Sequence, residues 1–117
     1  MPQYLSQVSY TQQAWQALVQ NPQDRIEAVR PAIEKLGGRV INAWFAFGDY
    51  DIVAILEMPN NVAAAAIAIA FAAGGACKGV KTTPLLSTAE AIEAAKKAAT
   101  SGYRPLTAGA AAGTSAR

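Results

Sequence analysis

The chain has no histidine, one cysteine and only nine aromatic residues (Phe, Trp and Tyr) among its 117 positions, and 15% of it is charged. Without histidine it lacks the one side chain that ordinarily titrates near neutrality, and it lacks an imidazole to offer zinc, haem or copper. The commonest parts of metallohydrolases and haem enzymes are therefore missing. The lone Cys77 can form neither an internal disulfide nor a thiolate cage, a usage that fits a cytoplasmic protein. Long apolar runs are missing as well. The longest, Val62 to Ala73, falls short of the ~20 residues a membrane-spanning helix needs. The opening stretch, MPQYLSQVSY, carries neither a basic segment nor an apolar core of the kind that directs secretion. These absences assign no catalytic residue, no metal site and no cofactor.

The formal net charge of +2 has an address. Residues 1–100 hold eight basic and eight acidic side chains, so the surplus is Arg104 and Arg117. Both lie in the Gly/Ala/Ser/Thr-rich stretch 101–117, which has little to bury and reads as a flexible or partner-ordered tail. The rest is neutral and has no Lys/Arg cluster interleaved with aromatic readers, which excludes nucleic acid as a partner. What is abundant is apolar residues, at 52%, with alanine foremost at 27 residues. A chain of this length has room for one small domain.

Residues 3–10, QYLSQVSY, read as a strand, and Thr11 caps a helix with apolar positions Ala14, Trp15, Leu18 and Val19. Asn21-Pro22 breaks that helix and restarts it at Pro22. The stripe Ile26, Val29, Ile33, Leu36 continues with a kink expected at Pro31, until Gly37-Gly38 ends it as a left-handed cap. Arg39–Phe47 and Tyr50–Glu57 read as two strands apolar on both faces. Between them Gly48-Asp49 fits a two-residue type II′ hairpin turn. Asn60 or Asn61 caps a helix from Val62 to Ala73, on which Ile67 and Phe71 fall on one side and Val62 and Ile69 on the other. Cys77–Leu86 forms a last strand, with Pro84 near its end. Ser87-Thr88-Ala89-Glu90 is a capping box that opens a final helix reaching about Ala99.

The order β-α-β-β-α-β is the ferredoxin-like split βαβ motif, an α+β sandwich with helices on one sheet face and, here, an added C-terminal helix. The expected organisation is a domain over 1–86, a helix over 87–100 and the tail. Its bare sheet face would expose either Ile52, Ala54 and Leu56 or Val53 and Ile55. Such a patch implies a homo-oligomer, most simply a two-fold dimer with sheets face to face.

Several of these features together resemble the GYD-domain family of small bacterial and archaeal proteins. They are Tyr4-Leu5 with Tyr10-Thr11, Pro22 with Arg25, Gly37-Gly38, the hairpin Gly48-x-Tyr50-Asp51, Glu57 with Pro59, the alanine-rich helix, and Val80-Lys81-Thr82-Thr83-Pro84. The likeness runs over most of residues 1–90. Pro84 stands near the position where relatives end on threonine, and the helix after residue 87 falls outside the likeness. The resemblance implies a ferredoxin-like, dimeric α+β-barrel fold and no settled activity. The GDYD hairpin and the following strand also resemble the effector-binding domain of the feast/famine transcription regulators, which binds amino acids between subunits near that hairpin. Through that likeness Gly48, Asp49, Tyr50 and Asp51 become ligand-facing candidates.

The residues themselves leave alternatives open. Asp49 and Asp51 read as turn chemistry, as ligand contacts, or as an acid pair for catalysis. Tyr10, Trp44 and Tyr50 either line a pocket or fill the core. Arg25 meets an incoming carboxylate or pairs with Asp24, Glu27 or the hairpin acids. Lys78 and Lys81 read as solvated edge lysines or an anion contact, and Cys77 as a small buried residue or a thiol tuned by Lys78. The glycines at 74, 75 and 79 have no phosphate-loop spacing. Three functions follow: a homo-oligomeric, non-enzymatic module binding an amino-acid-like metabolite near a subunit interface; a small α+β-barrel isomerase or cofactor-free oxygenase; or a scaffolding subunit.

Overall fold

A computed structural model describes residues 1–107; the last ten residues of the expected tail lie outside the described residues. The chain divides into two compact units, Met1–Leu85 and the segment from Leu86 onward. The first contains β1 (Gln3–Tyr10), α1 (Gln12–Gln20), α2 (Arg25–Lys35), β2 (Arg39–Phe45), β3 (Ile52–Glu57), α3 (Asn61–Ala73) and β4 (Cys77–Leu85). Its strands form one antiparallel sheet in the order β2-β3-β1-β4, the ferredoxin-like α+β arrangement expected from the element order.

Alternation assigns the two sheet faces. Tyr4, Ser6, Val8 and Tyr10 of β1 are buried, as are their β3 neighbours Leu56, Ala54 and Ile52, and this face lies under the helices. Ile33 of α2 and Ala64 and Ile67 of α3 close over it, with Met58 fully buried beside them. The opposite face carries Leu5, Gln7, Val53 and Ile55, all half-buried, so of the two possible exposed sets the structure selects Val53 and Ile55.

Local chemistry sets the helix ends. Thr11 accepts the Ala14 amide at 3.2 Å and Asn60 accepts that of Ala63 at 2.9 Å. Asp24 accepts the amides of Ile26 and Glu27, so α2 begins at Arg25, three residues later than the Pro22 start read from the sequence. An aspartate at the N-cap satisfies two free amides, which Pro22 cannot do. The α2 helix runs on through Pro31, whose ring is exposed. It ends where Gly37, at φ +88°, lets the Gly38 amide reach Ile33 and its own amide reach Glu34, the Schellman arrangement. A side chain at Gly38 would run into Met58 and lie 2.5 Å from the Glu57 carbonyl, so this glycine allows β2 to start close against β3.

The hairpin departs from its sequence reading. Gly48 has no positive φ, and the connection is a wider loop closed by the Ala46 amide on the Asp51 carbonyl at 2.8 Å, with Phe47 fully exposed at its tip. Contacts to β1 explain this. The Asp51 amide donates to the Val8 carbonyl at 2.8 Å, and the Asp51 carboxylate accepts the Tyr10 amide at 2.9 Å. The loop is thus tied to the end of β1 rather than folded tightly on β2. β2 also carries an irregularity between Val40 and Asn42, which accounts for its lack of clean alternation in the sequence.

In the second unit, α4 (Thr88–Ala99) starts with the expected capping box. The Ser87 hydroxyl accepts the Glu90 amide at 3.1 Å, and the Glu90 carboxylate accepts the Ser87 amide at 2.9 Å. The Ser87 amide, with the Ser87 hydroxyl second, holds the Glu90 carboxyl below its ordinary pKa.

Candidate functional site

Between the helices and the sheet lies a cavity of about 260 Å³. Its origin is a coincidence of small residues. Ser6 and Ala54 are register partners at the centre of the sheet, and Ala70, Gly74 and Ala76 face them from α3 and the turn after it. Where larger side chains would fill the core, these leave a void walled by Val8, Ile26, Val29, Ile33, Leu56 and Phe71.

Four groups give the cavity its polar chemistry: the Tyr10 phenol, the Arg25 guanidinium, the Cys77 thiol and the Ser6 hydroxyl. Burial pushes the Tyr10 phenol above its ordinary value, and the Arg25 guanidinium beside it pulls part of the way back. Burial likewise raises the Cys77 thiol, again opposed by Arg25. Both groups are therefore protonated at neutral pH, and neither offers a base or a thiolate nucleophile. Ser6 is only 5% exposed, and its hydroxyl has no protein hydrogen-bond partner among the described residues. No buried side-chain N or O atom among the described residues lacks a partner, so this hydroxyl is open to the cavity, where a polar group of an occupant can meet it.

Arg25 is half-buried and belongs to no ion pair among the described residues. Its Nη1 donates to the neutral Gln23 Oε1 at 2.9 Å. Of the acids expected to pair with it, Asp24 caps α2, Glu27 holds Arg30 at 2.7 Å, Asp51 accepts the Tyr10 amide, and Asp49 forms no ion pair with it. A second, more polar groove of about 560 Å³ runs between the start of α2 and β2. Arg25, Ile26, Val40 and Ile52 line both spaces, which puts the guanidinium at their boundary.

Of the seven ligand-site candidates, the structure brings only Tyr10 and Arg25 to this cavity. Trp44 is a register partner of Val53 on the opposite sheet face, with 51% of its surface exposed. Gly48, Asp49, Tyr50 and Asp51 do not line the cavity. Asp51 is a clamp on β1, and the Asp49 carbonyl lies 3.4 Å from the Ser9 hydroxyl. The acid-pair reading therefore fails on Asp51, whose carboxylate is spent on a backbone amide. Tyr10 instead packs edge-on against Trp15, which stacks on Phe45. Sequence reasoning missed Ser6 as a polar group of the cavity and weighed Cys77 without placing it there. The available signal was a serine on the same parity as Tyr4, Val8 and Tyr10 of β1. Among the described residues, no group of three His, Cys, Asp or Glu side chains is placed to hold a metal ion, and no helix is long and apolar enough to cross a membrane.

The family model for the GYD domain matches residues 4–95, so the match reaches into α4, which the sequence reading had left outside the likeness. No curated protein and no solved structure matches the chain.

Proposed function

The chain belongs to the GYD domain family, and we propose that it is a small-molecule-binding module whose site is the cavity between the sheet and the helices over it. The observation that carries this reading is a preformed, apolar-walled space with, at its edge, a guanidinium that forms no ion pair among the described residues. Ligand sites typically combine apolar walls with a few convergent polar groups, and at about 260 Å³ this one suits a ligand of about a dozen non-hydrogen atoms or fewer. Burial raises the pKa of both ionisable groups beside Arg25, so at neutral pH Tyr10 and Cys77 meet a ligand as protonated hydrogen-bond donors.

Thermal denaturation of the full chain against a panel of small metabolites at millimolar concentration tests the proposal. A ligand that binds only the folded state raises the melting temperature as its concentration exceeds Kd. Ala54→Leu, which fills the cavity from the sheet side, should abolish that rise. A panel without any stabilising compound, or a rise that survives Ala54→Leu, counts against the site.

The open sheet face supports a second, compatible proposal, that the module works as a homodimer. Leu5, Val53, Ile55 and Trp44 form its apolar centre, and Arg39 and Glu57 near its end neutralise each other at 2.8 Å. Lys81, the register partner of Gln7, adds an ammonium on the edge strand β4, outside that centre, and a two-fold axis lets the apolar centre meet its own copy.

A further inference from the structure

We infer that the cavity takes a small apolar monocarboxylate lacking an α-ammonium group, its carboxylate held by Arg25 and the Tyr10 hydroxyl and its apolar body packed against Phe71 and the aliphatic wall. The inference rests on the cavity being a ligand site and adds the chemistry of what enters it. Three observations lead to it.

The first is charge. Among the cavity's lining residues the one formal charge is that of Arg25, and no aspartate or glutamate is among them. A half-buried guanidinium that forms no ion pair among the described residues leaves donor positions open to a carboxylate, which it matches in a two-pronged geometry. The second is the hydrogen-bond inventory. Tyr10 and Arg25 both face the cavity as donors, a set suited to an anion. The third is what is missing from the lining. An amino acid would bring an ammonium into a space with no carboxylate to receive it, and an unpaired buried cation is strongly disfavoured. This separates the present site from the amino-acid site implied by likeness to the feast/famine regulators. The Ser6 hydroxyl, open to the cavity on the sheet floor and without a protein partner among the described residues, fits acids that also carry a polar group along their length.

A matched series decides the question: 3-phenylpropanoate, its amide 3-phenylpropanamide, and L-phenylalanine, which differs from the first by the ammonium. Titration calorimetry on the full chain at neutral pH should find the acid bound at least tenfold more tightly than either of the others. Arg25→Gln should weaken the acid at least tenfold while leaving the amide within about twofold, and Arg25→Lys should restore part of the loss. Amide or phenylalanine binding as tightly as the acid would overturn the inference while leaving the cavity as a ligand site. So would an acid affinity that Arg25→Gln leaves unchanged. If neither this series nor the wider panel binds, the cavity reading falls and the inference with it. The comparison among ligands is made on the unmodified chain, so it holds even if the Arg25 variants fold poorly.

Discussion

Asp51 shows how one side chain can look functional in a sequence and prove structural in space. Two residues from Asp49 in the hairpin, it has the spacing of an acid pair, yet its carboxylate terminates β1 by accepting the Tyr10 amide. Asp51→Ala should therefore lower the stability seen in urea unfolding by about 1–3 kcal/mol, the range for stranding a partly buried donor. Asp51→Asn keeps an acceptor and should lose less. Ligand affinity should follow stability in both variants; a large loss of affinity in a fully stable Asp51→Asn would return this residue to the site. Tyr10 and Cys77 make a second prediction at this scale. Both have their pKa raised by burial, so the folded chain keeps their protons longer than the unfolded chain does. Their contribution to stability is full below the ordinary thiol value of about 8.5 and is lost as pH rises through the raised folded values. Melting temperature measured from neutral pH upward should fall more steeply for the unmodified chain than for Cys77→Ala with Tyr10→Phe. Parallel curves would remove these two groups as the cause.

At the scale of elements, periodicity and caps were legible and register was not. β1, the capped starts of α1, α3 and α4, and the Gly37-Gly38 end of α2 depend on neighbours in sequence, so reading residues in order recovers them. The parity of β2 does not. Its irregularity between Val40 and Asn42 turns Trp44 to the open face, and nothing in the string RVINAWF marks that position. The cavity was hidden for a related reason: Ser6, Ala54 and Ala70 come from three elements, and only the folded register makes their small volumes coincide. For α3, the sequence placed bulky residues on two sides, and the structure buries Ile67 at 3% exposure while leaving Ile69 at 66%. Ile67→Ala should cost about 2–5 kcal/mol, the range for a buried isoleucine cut to alanine. Ile69→Ala should stay within about 0.5 kcal/mol. Chemical unfolding of the two variants side by side checks the pair. A large loss at Ile69 would mean that this outer face is covered in solution.

The first compact unit as a whole has more apolar surface than one helical layer can cover. The helices lie over only one side of its sheet, leaving Leu5, Val53, Ile55 and Trp44 beside the polar Gln7, Asn42 and Lys81 on the other. Dimerisation through that face would bury them without altering the core, because Val53 and Ile55 point away from the cluster built around Leu56, Ile33 and Ile67. The same geometry makes the proposal testable without unfolding the protein. Val53→Lys sets an ammonium in the apolar centre of the interface, where an unpaired buried charge costs several kcal/mol, enough to weaken association about a hundredfold or more. In sedimentation velocity the unmodified chain should run as a dimer at micromolar concentration and Val53→Lys as a monomer. Far-ultraviolet circular dichroism of the two should agree, since the substituted side chain lies outside the helix-covered core. An unmodified chain that stays monomeric at high concentration would sink the dimer, and because the cavity is built entirely within one copy, ligand binding to Arg25 should survive that outcome.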